Sequence, residues 1–387
     1  MMSLQHYLET PTNHESYSAC FSTKEYHLIG KHFSQTLMTP AADTVHFNQR
    51  IADRFKEMKN NGDKNPILIA AIPFDIRNDA VLNFYSDYDK SDKKTKKSDL
   101  KADLIKNETH IKNKTLLVDQ DKFKKTVNYA LETFKNTELT KIVLSQAVDV
   151  SFDESQNLAF YLDALLDKNP TAYNFVIPVD NQQYLLGASP ELLLSKNDRL
   201  VKSNPLAGSR PKRDSLEHNQ RNQRALHESI KDQHEHKIVV ENISRNLVAD
   251  CVTLSMSEFP EVLETSTMFH LSSILQGTLK KAAPNALSLA LKLHPTPAVC
   301  GTPTQLAKDF ILQHEGYERG YYTGLVGWMD AEGNGEWLVT IRCGLLNDKK
   351  LRLYAGAGIV EGSDPESEWR ETEDKMKTIL RLCDTSA

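Results

Sequence analysis

Between residues 173 and 203 four short apolar runs follow one another with only a few residues between them: 173–179, 184–188, 192–195 and 200–203. Parallel neighbours need crossover connections of a dozen or more residues, so runs this close pair as antiparallel neighbours. The same pattern returns near the C-terminal end, where 321–329 and 336–343 flank Asp330-Ala-Glu-Gly-Asn-Gly335, a hairpin turn by composition. A further strand, 351–355, runs into a glycine-rich stretch, Ala355-Gly-Ala-Gly-Ile-Val360, expected to be a turn. Strands also read at 67–72, between Pro66 and Pro73, and at 142–150. Helical spacing appears at Phe47, Ile51, Phe55 and Met58, at Phe123, Val127, Leu131 and Phe134, and over 158–166, 215–249, 284–293 and 304–313. Strand clusters interrupted by helices, without regular βαβ alternation, predict an α+β fold with large, mostly antiparallel sheets.

With 387 residues, 40% of them hydrophobic, the chain can bury a large core in one unit. Residues 1–118 read as the N-terminal part of the fold, with a charged surface loop near 87–114, and residues 119–384 as its core. A net charge of −5 argues against nucleic acid or an anionic membrane as partner. No stretch approaches the length of a membrane span, and Met1-Met-Ser-Leu-Gln-His-Tyr-Leu-Glu lacks the regions of a signal peptide. The five cysteines form no CxxC pair and read as reduced thiols of a cytoplasmic protein.

The residues able to carry chemistry cluster in the second half. Asp364 or Ser363 can cap a last helix, with Pro365 in its first position. Glu368, Glu371 and Lys375 then share one face of that helix, and Trp369, Met376, Ile379 and Leu380 the other. Carboxylates at i and i+3 can hold one hard cation; equally, they can form an ordinary charged helix face. Glu235, in Gln233-His-Glu-His-Lys237, could add a third carboxylate to a magnesium site, or be a solvated first-turn residue. His234 and His236, two apart, do not share a face and make a poor zinc pair. Glu191, in Gly187-Ala-Ser-Pro-Glu191, is a sheet-edge charge or, if enclosed, a carboxyl raised enough to act as an acid. Lys141 opens the 142–150 strand, as an edge lysine or, desolvated, as a base. Asn204-Pro-Leu-Ala-Gly-Ser-Arg210 is read as a turn whose N–H groups could hold a carboxylate.

Taken in order, Gly187-Ala-Ser-Pro-Glu-Leu-Leu, Leu206-Ala-Gly-Ser-Arg-Pro, His234-Glu-His, Gly301-Thr-Pro, Tyr317-Glu-Arg-Gly-Tyr-Tyr-Thr-Gly, Ile341-Arg-Cys-Gly and the segment from Ala355 to Lys375 resemble the chorismate-utilising enzyme family over about residues 120–381. The resemblance implies one large α/β sandwich, a single chorismate-binding domain with two packed, mostly antiparallel sheets, surrounding helices and a central site. It implies Mg²⁺ held by Glu235, Glu368 and Glu371. Gly208, Ser209, His270, Ala298, Arg342, Gly356 and Lys375 would contact the substrate, chorismate.

Amino-transferring members of the family usually lack a lysine at the position of Lys141, so water is the expected nucleophile, with Lys141 as base and Glu191 as acid. The stretch His294-Pro-Thr-Pro-Ala-Val-Cys-Gly301 is similar to the isochorismate synthase version; salicylate and anthranilate synthases typically carry threonine where Ala298 stands. The implied activity is therefore conversion of chorismate to isochorismate, feeding a catechol siderophore and coupled functionally to an isochorismatase. Salicylate synthase, a menaquinone-type isochorismate synthase, the amino-transferring enzymes and a silent chorismate-binding relative are the alternatives.

Overall fold

In a computed structural model, residues 18–93, 110–180 and 182–383 are described. Seventeen strands join in one hydrogen-bonded network, and every pairing in it is antiparallel. The network is folded over on itself. One layer runs Cys251–Met256, Leu275–Leu279, Leu200–Asn204, Leu192–Asn197, Gly335–Val339, Leu325–Asp330, Ile67–Ile72, Asp79–Asp92 and Tyr26–Pro40. The other runs Tyr173–Asp180, Gln183–Ser189, Cys343–Asn347, Lys350–Val360 and Lys141–Phe152, which also pairs with Ile111–Leu116 and Gly301–Thr302. The short strand Cys20–Ser22 pairs with Tyr26–Pro40 on one side and Tyr173–Asp180 on the other, and so joins the layers.

Side chains alternate across a strand, and here both faces are buried. In Ile67–Ile72, Ile67, Ile69 and Ala71 point between the layers, toward Phe175, Leu185 and Tyr354. Leu68, Ala70 and Ile72 point outward beneath the helices Thr44–Asn60, Ile230–Leu247 and Ala286–Leu293. All six are fully buried. That explains why this segment reads as an unbroken apolar run. Outside the second layer, Leu158–Lys168 and Pro365–Cys383 cover Val150, Val176 and Leu353. Gln120–Asn136 and Thr304–His314 cover Ile142 and Leu144.

The expected α+β sandwich with large antiparallel sheets is present, and three local expectations are corrected. Ala355-Gly-Ala-Gly-Ile-Val360 is not a turn: it lies in the strand Lys350–Val360, and the chain reverses only at Gly362, where φ is +82°. Residues 206–210 are likewise strand, with only Pro205 between them and the strand that ends at Asn204. Leu206–Pro211 forms a separate three-stranded sheet with Met268–Ser272 and Glu261–Glu264, and Gly208 (φ +68°) is a bulge within it. The charged loop near 87–114 is shorter than expected, because 87–92 complete the strand Asp79–Asp92 and 111–114 belong to Ile111–Leu116. Its middle, 94–109, lies outside the described residues. The helical region 215–249 is two helices, Leu216–Glu228 and Ile230–Leu247, parted by Ser229, whose side chain accepts from the Asp232 N–H.

Candidate active site

One cavity opens between the small sheet, the N-terminal turns of Ile230–Leu247 and Pro365–Cys383, and the glycine-bearing part of Lys350–Val360. Eleven of the twelve residues singled out from sequence line it: Glu191, Gly208, Ser209, Glu235, His270, Ala298, Arg342, Gly356, Glu368, Glu371 and Lys375. Lys141 is the twelfth. It is 1% exposed and reaches the cavity wall through its Nζ, which donates to Glu235 Oε1 at 2.8 Å. The residues expected as acid and base and the three carboxylates therefore come together from segments far apart in the chain.

Lys141 opens its strand opposite Val360, and Gly358 faces Val143, two residues further along that strand. A side chain on Gly358 would meet Glu235 Oε1 at 3.0 Å and Lys141 Cε at 3.6 Å, so that glycine makes room for the ion pair. Gly356 does the same for the Tyr322 hydroxyl, at 2.8 Å from a Cβ placed there. Burial pushes the Glu235 carboxyl up, but the Lys141 ammonium beside it outweighs this and holds it below its ordinary value.

Glu191 is enclosed. Its Oε1 has no hydrogen-bond partner among the described residues, while the Leu206 N–H donates to its carboxylate. Burial raises its carboxyl to about 7, against the opposing pull of Leu206, Lys141, Arg342 and Lys375. A carboxyl in this state can be protonated near neutral pH and is able to give a proton away.

Arg342 has φ +50°, a left-handed conformation that costs a non-glycine residue roughly 1–2 kcal/mol. The Ala188 N–H holds this kink by donating to the Arg342 carbonyl at 3.0 Å. The guanidinium is directed to His270, with Nη2 at 3.3 Å from Nε2. His270 Nδ1 lies 3.2 Å from the Gly208 carbonyl, so the proton sits on Nδ1 and Nε2 accepts from Arg342. Burial, Arg342 and Lys375 keep this imidazole well below its ordinary value, hence neutral. His236, by contrast, turns to Ser273 Oγ at 2.8 Å and is pushed down to about 4 by burial. It is a core histidine, in keeping with the poor zinc pairing expected of His234 and His236.

Asp364 caps the last helix by accepting from the Ser367 N–H at 2.8 Å. Glu371 pairs with Lys375 at 2.5 Å and accepts from Ser209 Oγ at 3.1 Å. Lys375 also donates to the Gly356 carbonyl at 2.9 Å. Glu368 is raised to about 7, first by burial and then by the charge of Glu371. Among the described residues no three His, Cys, Asp or Glu side chains form a ready-made metal cage. The donors present are all carboxylate oxygens, and a buried carboxylate raised by its neighbour is a place where added positive charge is favourable. That set fits a hard divalent cation bound through one or two carboxylates, with water and a substrate oxygen completing its shell.

Several lining residues escaped the sequence reading. Lys231 lies one turn before Glu235, and Asp232 pairs with Arg210 at 2.7 Å beneath the Gly208 bulge. Neither differs in sequence from a solvated first-turn residue. Behind the cavity, buried Glu315 pairs with buried Arg319 at 2.6 Å. Glu315 accepts from the Ser145 N–H at 2.8 Å, and Arg319 donates to the carbonyls of Val143 and Val299 at 2.8 and 2.9 Å. This network ties the segment carrying Ala298 to the strand carrying Lys141. Tyr317-Glu-Arg319 stood among the quoted motifs, but its supporting role was not evident from residue types alone.

All five cysteines are free and buried, and among the described residues no helix is long and apolar enough to cross a membrane. Comparison with known proteins gives a consistent result. The family model for chorismate binding enzymes matches residues 21–383. Isochorismate synthase DhbC of Bacillus subtilis is 40% identical over 338 residues, covering 86% of this chain and 84% of that protein. The vibriobactin-specific isochorismate synthase of Vibrio cholerae is 45% identical over 260 residues, covering 67% and 66%. The crystal structure of DhbC from Bacillus anthracis superposes with a TM-score of 0.89 at 36% identity, over 98% of this chain and 99% of that one. With the match running from the strand that joins the two layers to the end of the helix bearing Glu368, Glu371 and Lys375, the chain belongs to the chorismate binding enzymes.

Proposed function

We propose that this chain is a Mg²⁺-dependent isochorismate synthase, adding water at C2 of chorismate and releasing the C4 hydroxyl. The observation that carries the reading is the pairing of an enclosed lysine, Lys141, with an enclosed carboxyl raised to about 7, Glu191, at one cavity. The names of the Bacillus subtilis and Vibrio cholerae relatives support the same reaction.

In this reading Arg342, oriented by His270, grips the enolpyruvyl carboxylate, a planar acceptor suited to a guanidinium. Lys375 and the backbone at Gly208 and Ser209 hold the ring carboxylate, with Gly356 shaping the floor. Glu235, Glu368 and Glu371 would hold Mg²⁺, directly or through water, and the ion would supply positive charge against that ring carboxylate. Lys141, once it has given up the proton it shares with Glu235, accepts a proton from the water attacking C2 while the ring double bond shifts. Protonated Glu191 gives its proton to the departing C4 oxygen, which leaves as water. Ala298 lines the wall without a hydroxyl, which suits release of isochorismate over further elimination. Every one of these groups falls within residues 119–384, which form the catalytic core in this reading, with 1–118 as its buttress. The product would serve a catechol siderophore through an isochorismatase, and the buried free thiols suit the cytoplasm.

The test is product analysis with chorismate, with and without Mg²⁺, following isochorismate, salicylate and pyruvate over time. Isochorismate accumulating without pyruvate, only when Mg²⁺ is present, is expected. Salicylate and pyruvate rising together would make the enzyme a lyase and overturn the Ala298 argument.

A further inference from the structure

Of the carboxylates that line the cavity, the three read as metal ligands each have a lysine of this chain beside them. Glu235 has Lys141 at 2.8 Å, Glu371 has Lys375 at 2.5 Å, and Glu368 has Lys231 at 3.9 Å. The first two lysines are fixed in place. The Lys141 side chain is 1% exposed, and that of Lys375, 13% exposed, also donates to the Gly356 carbonyl. Lys231 is different. Half of its side chain is exposed, at 51%, and its separation from Glu368 is beyond hydrogen-bond length.

An ion pair of that kind is worth at most about 1 kcal/mol and opens readily. Lys231 is also set on a rigid element, in the first turn of the helix that presents Glu235. From there its charge reaches both Glu235 and Glu368. Its partner is the carboxylate least able to do without positive charge, since Glu368 is buried beside Glu371 and has no tight cation of its own.

We propose that Lys231 is a displaceable counter-charge, whose ammonium offsets Glu368 before metal binds and swings into solvent when a divalent cation takes that carboxylate. Lys231 is thus a positioning residue that sets metal affinity, and this rests on the reading of Glu368 and Glu371 as metal ligands. The entering cation has to compete with a charge already present. Removing that charge makes entry easier.

The experiment is calorimetric titration of the full-length protein with MgCl₂ alone, at low salt and pH 8, for the wild type, Lys231→Met and Lys231→Arg. Lys231→Met is expected to bind Mg²⁺ about three- to five-fold more tightly, the equivalent of one weak ion pair. Lys231→Arg should match the wild type, and the gap should narrow with added KCl as screening weakens the competition. Equal or weaker Mg²⁺ binding by Lys231→Met, with the wild type binding normally, overturns this inference and leaves the metal reading intact. Absence of Mg²⁺ binding in the wild type overturns the metal reading and this inference with it. Lys231→Gln is a second neutral variant, should the methionine change disturb folding.

Discussion

Replacing Glu191 by glutamine should stabilise the protein above neutral pH while removing its turnover. The carboxyl is enclosed, has one oxygen without a partner, and is raised from 4.5 to about 7 by burial. The unfolded chain gives up this proton near 4.5 and the folded chain near 7, so unfolding releases a proton across that window. Stability is therefore lost as pH rises through it. The loss amounts to about 3 kcal/mol once both states are ionised, roughly 2 of which fall between pH 5 and pH 8. Glutamine has nearly the same shape, keeps an oxygen for the Leu206 N–H and does not titrate. Urea unfolding of the metal-free proteins at pH 5 and pH 8 measures the difference directly. Glu368 is also raised to about 7 and contributes a similar slope, but it is present in both proteins and cancels in the comparison. The wild type should lose about 2 kcal/mol more than Glu191→Gln between the two conditions. Parallel profiles would refute the idea that burial keeps this carboxyl protonated, and the assignment of Glu191 as the acid would lose its physical basis.

Lys141→Ala should lower kcat on the order of 10²–10⁴-fold while chorismate still protects the protein against thermal unfolding, because general base catalysis contributes about that much; near wild-type turnover would remove Lys141 from the mechanism. Gly358→Ala places a methyl 3.0 Å from Glu235 Oε1 and should reduce Mg²⁺-dependent activity with little change in melting temperature; an unchanged dependence of rate on Mg²⁺ would show that the ion pair can shift without consequence. Arg319→Met leaves Glu315 buried and unpaired and should cost about 3–5 kcal/mol in chemical unfolding, since isolating one partner of a buried pair is expensive; a loss under 1 kcal/mol would mean that water or a rearranged neighbour takes the place of the guanidinium.

The parts of this fold legible in the sequence are those governed by local rules. Apolar runs with short gaps became antiparallel strands, and Asp364-Pro365 opened a helix with the expected cap. Lys141, Glu235, Glu368, Glu371 and Lys375 stand on the strand and the helices that their segments predicted, whereas Gly208, Ser209 and Gly356 stand on strands that read as turns. Glycine is where local reading failed. Gly356 and Gly358 suggest a turn, since glycine permits one, but both are extended; what the chain uses is the missing Cβ, against the Tyr322 hydroxyl and the Glu235 carboxylate. Those neighbours come from other parts of the chain and leave no mark near residue 356. Asp87, Asp89 and Lys90 failed for a related reason. Charge suggested a loop, yet a strand stays regular wherever a partner supplies its ladder, here Tyr26–Pro40. Lys231 could not be told from a solvated lysine, because its meaning depends on a carboxylate over a hundred positions later.

The pairing of Ile67–Ile72 with Leu325–Asp330 has a consequence for how the protein is made. A strand translated early waits for a neighbour that leaves the ribosome only when most of the chain has been synthesised. Until then one edge of Ile67–Ile72, apolar on both faces, has no partner from its own sheet. Synthesis speed and chaperone supply therefore bear directly on yield. Fragments that stop before Leu325 would carry a permanently open edge and should collect in inclusion bodies, even when they retain Lys141, Glu191 and Glu235.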